Sequence, residues 1–310
     1  MNVPLTAATV ADAGLTPAEA AIARSGVYSA LFDYPLTLSQ LRQTLIGARL
    51  TPTEILATVR NSTGLGAYVD QRDGYFFPAG RQDLIDVRRH REQRSRAFLA
   101  SHRPLLRLIA ALPFVRMVAL SGSVAHLNLE NGGDLDLFIV TRGRRVWSTA
   151  VVVILLAKLL GRRRTLCANF LVADTALSFE PQDLFTANQV VGMKPVSGAA
   201  TFRAILAANP FVRTCYPNYH GPDQGGFPIR QSRGLRALRA AAEVVLAPAS
   251  LLLEQVCRYA YRGYLRRRAS TWSSPDQVVL GDDRLKLHTR SHRRDILSRF
   301  DDAVQGGFEP

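Results

Sequence analysis

Residues 117–141 constrain the fold more than any other stretch of this sequence. Two apolar runs, 117–120 and 135–140, have the composition of short strands, because both are rich in residues that favour β-structure. A Ser-Gly-Ser turn at residues 121–123 and a polar, glycine-containing loop separate the two runs. The sequence therefore predicts two buried strands joined by a polar connection.

Two carboxylates open the second of these strands. Because side chains alternate along a strand, Asp134 and Asp136 project from one face, and Leu135 and Leu137 project from the other. Two negative charges held side by side repel each other unless a cation lies between them. The pair therefore indicates a site for a hard divalent metal ion, which prefers carboxylate oxygens.

The turn before the loop has residues suited to phosphate. Gly122 allows a ligand to approach the backbone closely, and Ser123 offers a hydroxyl and an N–H group. We expect a helix over Val124–Leu129, and the N-terminus of a helix favours phosphate groups. A phosphate cradle facing two metal-binding carboxylates predicts a site for a nucleoside triphosphate.

This motif resembles that of the nucleotidyltransferases of the DNA polymerase β superfamily, in which an apolar strand precedes Gly-Ser, a spacer and Asp-x-Asp. The resemblance covers roughly residues 110–200, and the spacing of the motif is similar to that of the minimal and antibiotic-modifying members. It implies an α/β (α+β) nucleotidyltransferase core with a mixed sheet. Gly122 and Ser123 would bind the triphosphate, and Asp134 and Asp136 would be catalytic and hold Mg²⁺.

The family usually has a third carboxylate on a later strand, where it acts on the attacking hydroxyl. The corresponding strand, predicted over 165–172, has Asn169 at its centre, and Asp174 follows its end. An amide cannot accept a proton as a carboxylate can. Either Asp174 is the third catalytic carboxylate, or Asn169 occupies that position as a nucleotide-binding residue. Lys194 is a further candidate for contact with the triphosphate, with a surface role as its alternative.

Two functions are consistent with these residues. The first is a Mg²⁺-dependent nucleotidyltransferase, which moves a nucleoside monophosphate from a triphosphate to an acceptor and releases pyrophosphate. The alternative is an inactive nucleotide-binding sensor, which passes its signal to DNA or to a protein partner. A small molecule, a protein side chain and an RNA end all remain possible acceptors, because acceptor choice depends on the flanking domains.

The sequence is long enough for three domains. Over 15–80, three predicted helices precede a hairpin with Asp73 and Gly74 at its turn, a pattern typical of a winged helix. Residues 81–206 are predicted to form the nucleotidyltransferase core with its leading helix. Residues 207–310 are predicted to form a linker or lid loop, rich in proline and glycine, and then a helical C-terminal domain.

The formal charge of +14 favours phosphate-bearing partners, including nucleotides, nucleic acid and anionic membranes. DNA contact through the winged helix is the less favoured reading, because its third helix offers only Arg60 as a basic residue. The basic stretch 88–96 is interpreted as a solvated helix face rather than a phosphate-contacting surface. The apolar runs 149–160 and 235–268 are interpreted as packed helices rather than membrane contacts.

The cysteines and histidines give no metal signature by spacing. Cys167, Cys215 and Cys257 are far apart in the sequence, and His288 and His292 lack an acidic neighbour. The N-terminus does not have the pattern of a signal peptide. These features together predict a reducing, cytoplasmic setting.

Overall fold

Helices and short strands follow one another along the chain. The computed structural model describes residues 14–221, 227–229, 231–287 and 292–305, so the expectation for His288 falls outside the described residues. The helices are α1 (Pro17–Ala30), α2 (Leu38–Gln43), α3 (Pro52–Asn61), α4 (Leu84–Ala111), α5 (Gly122–Ala125), α6 (Val146–Leu159), α7 (Leu184–Gly192), α8 (Ala199–Ala208), α9 (Phe211–Cys215), α10 (Arg233–Arg267) and α11 (Arg293–Gln305). The strands are β1 (Leu36–Thr37), β2 (Val69–Arg72), β3 (Tyr75–Pro78), β4 (Val115–Leu120), β5 (Leu135–Thr141), β6 (Leu166–Ala173), β7 (Lys194–Ser197), β8 (Val278–Leu280) and β9 (Arg284–Leu287).

The N-terminal region begins each of its three helices in the same way. The side chains of Thr16, Thr37 and Thr51 each accept a hydrogen bond from the backbone N–H three residues on, and the Glu or Gln side chain at that position accepts one from the threonine N–H. The strands form an antiparallel sheet in the order β1-β3-β2. The predicted hairpin is confirmed, with Asp73 and Gly74 both at positive φ in its turn. The two-residue strand β1 was not predicted.

The central sheet has six strands in the order β7-β4-β5-β6-β9-β8. Only β5 and β6 run parallel among its described pairs, so the sheet is mixed and the broad α+β class is confirmed. The expectation of a purely helical C-terminal region is wrong, because β8 and β9 extend this sheet beyond β6. Each has only three or four residues, too few for a strand period to be visible in the sequence.

Helices cover both faces of this sheet. Leu137 and Ile139 of β5 contribute to one core, which also holds buried residues of α4, α6 and α10. Phe138 and Val140 contribute to the other core, with residues of α1, α7, α8, α9 and α11. Asp136 shares the second face by strand alternation, so the predicted site lies on the side where the N-terminal region packs.

Residues after 207 do not begin with a loose linker. Tyr216 and Tyr219 are buried in the second core, and the buried Asn209 side chain accepts a hydrogen bond from the Phe179 N–H and donates to the Leu177 carbonyl. Proline and glycine predict an irregular backbone here, and they do not exclude burial of the intervening aromatic residues. Helix α10 has 35 residues and continues through Pro248, although proline removes one backbone hydrogen-bond donor from a helix interior.

Candidate metal and nucleotide site

Asp134 and Asp136 meet the N-terminal end of β6 at the start of β5. Asp136 is paired in register with Cys167 on the parallel neighbour. The Cys167 thiol donates a hydrogen bond of 2.6 Å to Asp134. One ligand atom from each of these three residues lies within 4.8 Å of the others, so the cluster could hold a metal ion.

A β-bulge brings Asn169 into the same site. Asp136 pairs with Cys167, but Phe138 pairs with Phe170, so β6 has one more residue than β5 between these pairs. Within this irregular segment the Asn169 amide donates a hydrogen bond of 2.5 Å to Asp136. Asn169 therefore lies beside the carboxylate pair. It is on β6, the strand on which the third carboxylate was expected.

The carboxylate of Asp136 is in an unfavourable environment for a negative charge. Burial raises its pKa to about 7, the charge of Asp134 adds to the rise, and only the hydrogen bond from Asn169 opposes it. No positively charged group is among those that shift this pKa. A bound cation would remove the repulsion between Asp134 and Asp136, so the electrostatics agree with the metal-binding donor set.

The Gly-Ser turn lies directly above Asp136. Gly122 has φ +62°, and a Cβ atom there would lie 2.4 Å from an Asp136 carboxylate oxygen and 3.1 Å from its Cγ. Any other residue at this position would displace the carboxylate, so Gly122 is required by this contact. Ser121 fixes the turn further by donating its N–H to the Asp136 carbonyl at 3.0 Å.

The helix predicted over Val124–Leu129 is wrong in its bounds. The structure has a single turn at α5, and Leu127 takes up a left-handed conformation with φ +55°. The Ser123 carbonyl accepts hydrogen bonds from the N–H groups of His126 and Asn128, which closes the turn. Ser123 itself is exposed, so its hydroxyl remains accessible to a ligand.

Lys194 lies beside this turn, because it begins β7 and pairs in register with Leu120. A cavity of about 600 Å³ contains Gly122, Ser123, Asp136, Asn169 and Lys194 among its lining residues. Its volume is within the range typical of small-molecule and cofactor sites. The sequence-predicted nucleotide-binding residues therefore share one cavity.

Asp174 does not join them. It follows β6 at the opposite end of the strand, where Thr141 pairs with Ala173. Thr141 is five positions after Asp136 on β5, about 17 Å along the strand. Its carboxylate accepts a hydrogen bond of 2.8 Å from the Gly143 N–H and so supports a turn. The expectation that Asp174 supplies the third carboxylate is wrong for this geometric reason.

Sequence reasoning missed Cys167 and His126. Cys167 and Asn169 are two residues apart, as Asp134 and Asp136 are, and this shared alternation was the available signal for Cys167. Burial raises the pKa of the Cys167 thiol, and the hydrogen bond to Asp134 adds to the rise, so the thiol stays protonated. The pKa of His126 is lowered to about 4 by burial and by the charges of Lys194 and Arg88, so its imidazole is neutral.

The N-terminal region closes one side of the cavity. Tyr34 donates a hydrogen bond to the His126 carbonyl at 2.8 Å and contacts the His126 ring edge-to-face. Arg88 of α4 stacks over the Tyr34 ring at 4.3 Å and donates to the Pro35 carbonyl. Asn128 donates to the Phe32 carbonyl at 2.9 Å. These contacts fix the N-terminal region against the Gly-Ser turn.

The basic stretch 88–96 is mostly engaged within the protein. Arg91 pairs with Glu130 at 3.0 Å, and Arg89 pairs with Asp73 at 3.0 Å. Arg96 pairs with Glu92 within α4. The interpretation of this stretch as a solvated helix face is wrong for Arg88, which is buried, and Arg88 and Arg96 both line the cavity that contains Gly122 and Asp136.

A second depression of about 720 Å³ opens elsewhere on the sheet, near Arg116 and Gly198. Among the residues that line it the single carboxylate is Glu243, which pairs with Arg116 and Arg239. The arginines already neutralise this carboxylate, so the depression does not have the features of a metal site.

Comparisons with known proteins add no relative: no family model matches the chain, and neither the curated proteins nor the solved structures gave a match. The functional assignment therefore depends on the motif and on the geometry described above.

Proposed function

We propose that this protein binds a nucleoside triphosphate with Mg²⁺ and transfers its nucleotidyl group to an acceptor hydroxyl, as the nucleotidyltransferases with a similar motif do. The observation that supports this most strongly is the contact between Gly122 and the Asp136 carboxylate, beside Asp134, in the wall of the cavity of about 600 Å³. It joins the two halves of the motif, which are separated by eleven residues, in one site.

Asp134 and Asp136 would hold the metal. Their oxygens are hard donors, which suit Mg²⁺, whereas a protonated Cys167 thiol is a poor ligand for a hard cation. When bound, Mg²⁺ would neutralise charge on the triphosphate and on the phosphoryl group that is transferred. Binding would also relieve the repulsion that raises the pKa of Asp136.

The remaining residues of the cavity would position the substrate. The Gly122–Ser123 turn presents backbone and a hydroxyl to the phosphates, and the positive charge of Lys194 attracts them. The acceptor oxygen would form a bond to the α-phosphorus as the bond from that phosphorus to pyrophosphate breaks. The hydroxyl proton would pass to water, because Asn169 cannot accept it.

We also propose a winged-helix class for the N-terminal region, acting as a substrate-positioning wall. Its residues Tyr34 and Gln40 line the cavity, and the Gln40 amide donates to the Tyr34 hydroxyl at 2.9 Å. DNA binding stays the alternative role for this region. Because the wall is next to the Gly-Ser turn, it would contact the nucleotide or the acceptor rather than a distant ligand.

The second candidate function is a nucleotide sensor without transferase activity, and the position of Asn169 favours it. A sensor needs the triphosphate site but has no use for a base that activates an acceptor. With an amide at 2.5 Å from Asp136 and Asp174 at the other end of the strand, β6 offers no third carboxylate beside the pair, and Glu92, which lines the cavity, pairs with Arg96. The two candidates share the binding site and differ only in turnover.

One experiment separates them. We would measure ATP binding by calorimetry with Mg²⁺ present, and pyrophosphate release with panels of small-molecule, protein and RNA acceptors. The transferase predicts both binding and release, and the sensor predicts binding alone. In the sensor, Asn169→Asp would restore a third carboxylate and strengthen metal binding. Absence of Mg²⁺-dependent binding of each of the four nucleoside triphosphates would contradict both candidates.

A further inference from the structure

The outer face of α10 is apolar and uncovered by the described residues. Ten of the fifteen large hydrophobic side chains that are exposed in the described chain belong to this one helix. Val245, Leu252 and Tyr259 are 76%, 70% and 87% exposed. A surface patch of this size on a protein marks an interaction site far more often than scattered single residues do.

Helix geometry places these side chains together. At about 100° per residue, Val245 lies about 200° around the helix from Glu243, which faces the core. Leu252 and Tyr259 follow Val245 at intervals of seven residues, so they project from the same outer side. The strip from Leu238 to Tyr264 is about 39 Å long.

The neighbouring helix extends the apolar surface. Leu155 and Leu159 of α6 are exposed, as is Leu160 directly after it, and α6 packs beside α10. Arg162, Arg163 and Arg164 follow α6 closely in the sequence. The apolar surface therefore continues towards a second group of arginines.

The acidic residues of α10 are both on its inner side. Glu243 accepts a hydrogen bond of 3.0 Å from the Phe114 N–H, and Glu254 accepts from the N–H groups of Trp147 and Ser148 at 2.9 and 2.8 Å. The helix is long and apolar enough to cross a membrane, with 17% of its most apolar window buried. These two attachments instead hold it lengthwise along the core, so it would lie flat on a membrane rather than span it.

Exposed arginines occur at both ends of the strip. Arg233 lies at its start, and Arg266 and Arg267 lie at its end. We propose that α10 docks this protein onto the surface of an anionic lipid bilayer, with the apolar strip in the interfacial layer and the terminal arginines among the lipid phosphates. This goes beyond the proposed function, since it concerns a different face of the sheet.

Charge complementarity favours a bilayer over other occupants. Two copies of this chain facing each other would bring their arginine groups together without acidic partners on the outer side of α10. A nucleic acid would match the arginines but leave a strip of leucine and valine against phosphates and water. An anionic bilayer provides both an apolar layer and negative charge, and tyrosines such as Tyr259 suit its interface.

Vesicle flotation of the purified full chain tests the proposal. Vesicles of phosphatidylcholine alone are compared with vesicles containing about one third phosphatidylglycerol, at low and high salt. We expect the protein to float with the anionic vesicles at low salt, several-fold less at high salt, and less with neutral vesicles. Equal recovery with neutral and anionic vesicles, or no flotation with either, would overturn the proposal.

Two matched variants identify the surface involved. Leu252→Glu, on the outer face of α10, should reduce flotation at least tenfold, whereas Leu108→Glu, an exposed leucine of α4, should leave it unchanged. Circular dichroism confirms that both variants fold. Flotation that is unchanged in Leu252→Glu overturns the proposal. The proposal is also overturned if the wild type is a dimer in sedimentation velocity, Leu252→Glu is a monomer, and neither protein binds vesicles.

Discussion

Two buried carboxylate sites in this protein differ in what surrounds them. Glu243 on α10 accepts the Phe114 N–H and pairs with Arg116, Arg142 and Arg239 at 3.2–3.6 Å. Burial acts to raise the pKa of Glu243, but these donors outweigh burial and hold it below the usual value. For Asp136 burial and Asp134 together raise the pKa to about 7.

The difference indicates the role of each site. A carboxylate that only stabilises the fold receives enough donors to offset the cost of burial. Asp134 accepts a hydrogen bond from a thiol, and Asp136 accepts one from an amide. These two neutral donors compensate the two neighbouring negative charges only in part. The missing positive charge is what a divalent cation would bring, so the comparison supports a metal-binding role for the pair.

Replacing Glu243, the carboxylate that pairs with arginines, should have the largest effect on stability. In Glu243→Ala, three arginines and a buried N–H lose their acceptor, so we expect the free energy of unfolding to fall by about 3 kcal/mol. Urea unfolding measures this change. Glu243→Gln is the control, since its amide oxygen can still accept from Phe114, and it should lose less. Equal stability of Glu243→Ala and the wild type would contradict a stabilising role for Glu243.

Asp136→Asn should change stability in the opposite direction. The native pKa of Asp136 is about 7 against an ordinary value of 3.8, so the native state binds more protons between these values and stability falls as pH rises through them. Without metal at pH 8, the variant should be more stable by about 1–2 kcal/mol. At pH 4 the difference should vanish. A destabilised variant at pH 8 would mean that Asp136 is compensated after all.

Asp174→Asn should have the smallest effect. Its carboxylate accepts one hydrogen bond from Gly143, so we expect a loss of about 1 kcal/mol or less. Because Asp174 lies at the far end of β6, Mg²⁺-dependent nucleotide affinity should be unchanged. A large loss of nucleotide affinity in this variant, with stability preserved, would mean that Asp174 does belong to the nucleotide site.

Much of this organisation could be predicted from the sequence. The alternation of Asp134 and Asp136 and the apolar runs around them predicted the two strands, and the Asp-Gly turn at residues 73–74 predicted the N-terminal hairpin. Asn169 and Asp174 could not be distinguished in advance, because the outcome depends on how β6 pairs with β5: the register places Ala173 beside Thr141, and a β-bulge lies next to Asn169. Likewise, β9 is defined by pairing with β6, more than 100 residues away, and β8 is held in the sheet through β9; local sequence patterns do not report such pairing.

The central claim is that Asp134 and Asp136 together bind a divalent cation. Titration with Mn²⁺, a paramagnetic substitute for Mg²⁺, measures this directly, because the electron paramagnetic resonance signal of the free ion falls on binding. In the absence of nucleotide, which would itself chelate Mn²⁺, we predict saturable binding to the wild type and to Asp174→Asn. Asp134→Asn and Asp136→Asn should each bind at least tenfold more weakly. Equal Mn²⁺ binding by all four proteins would contradict the account.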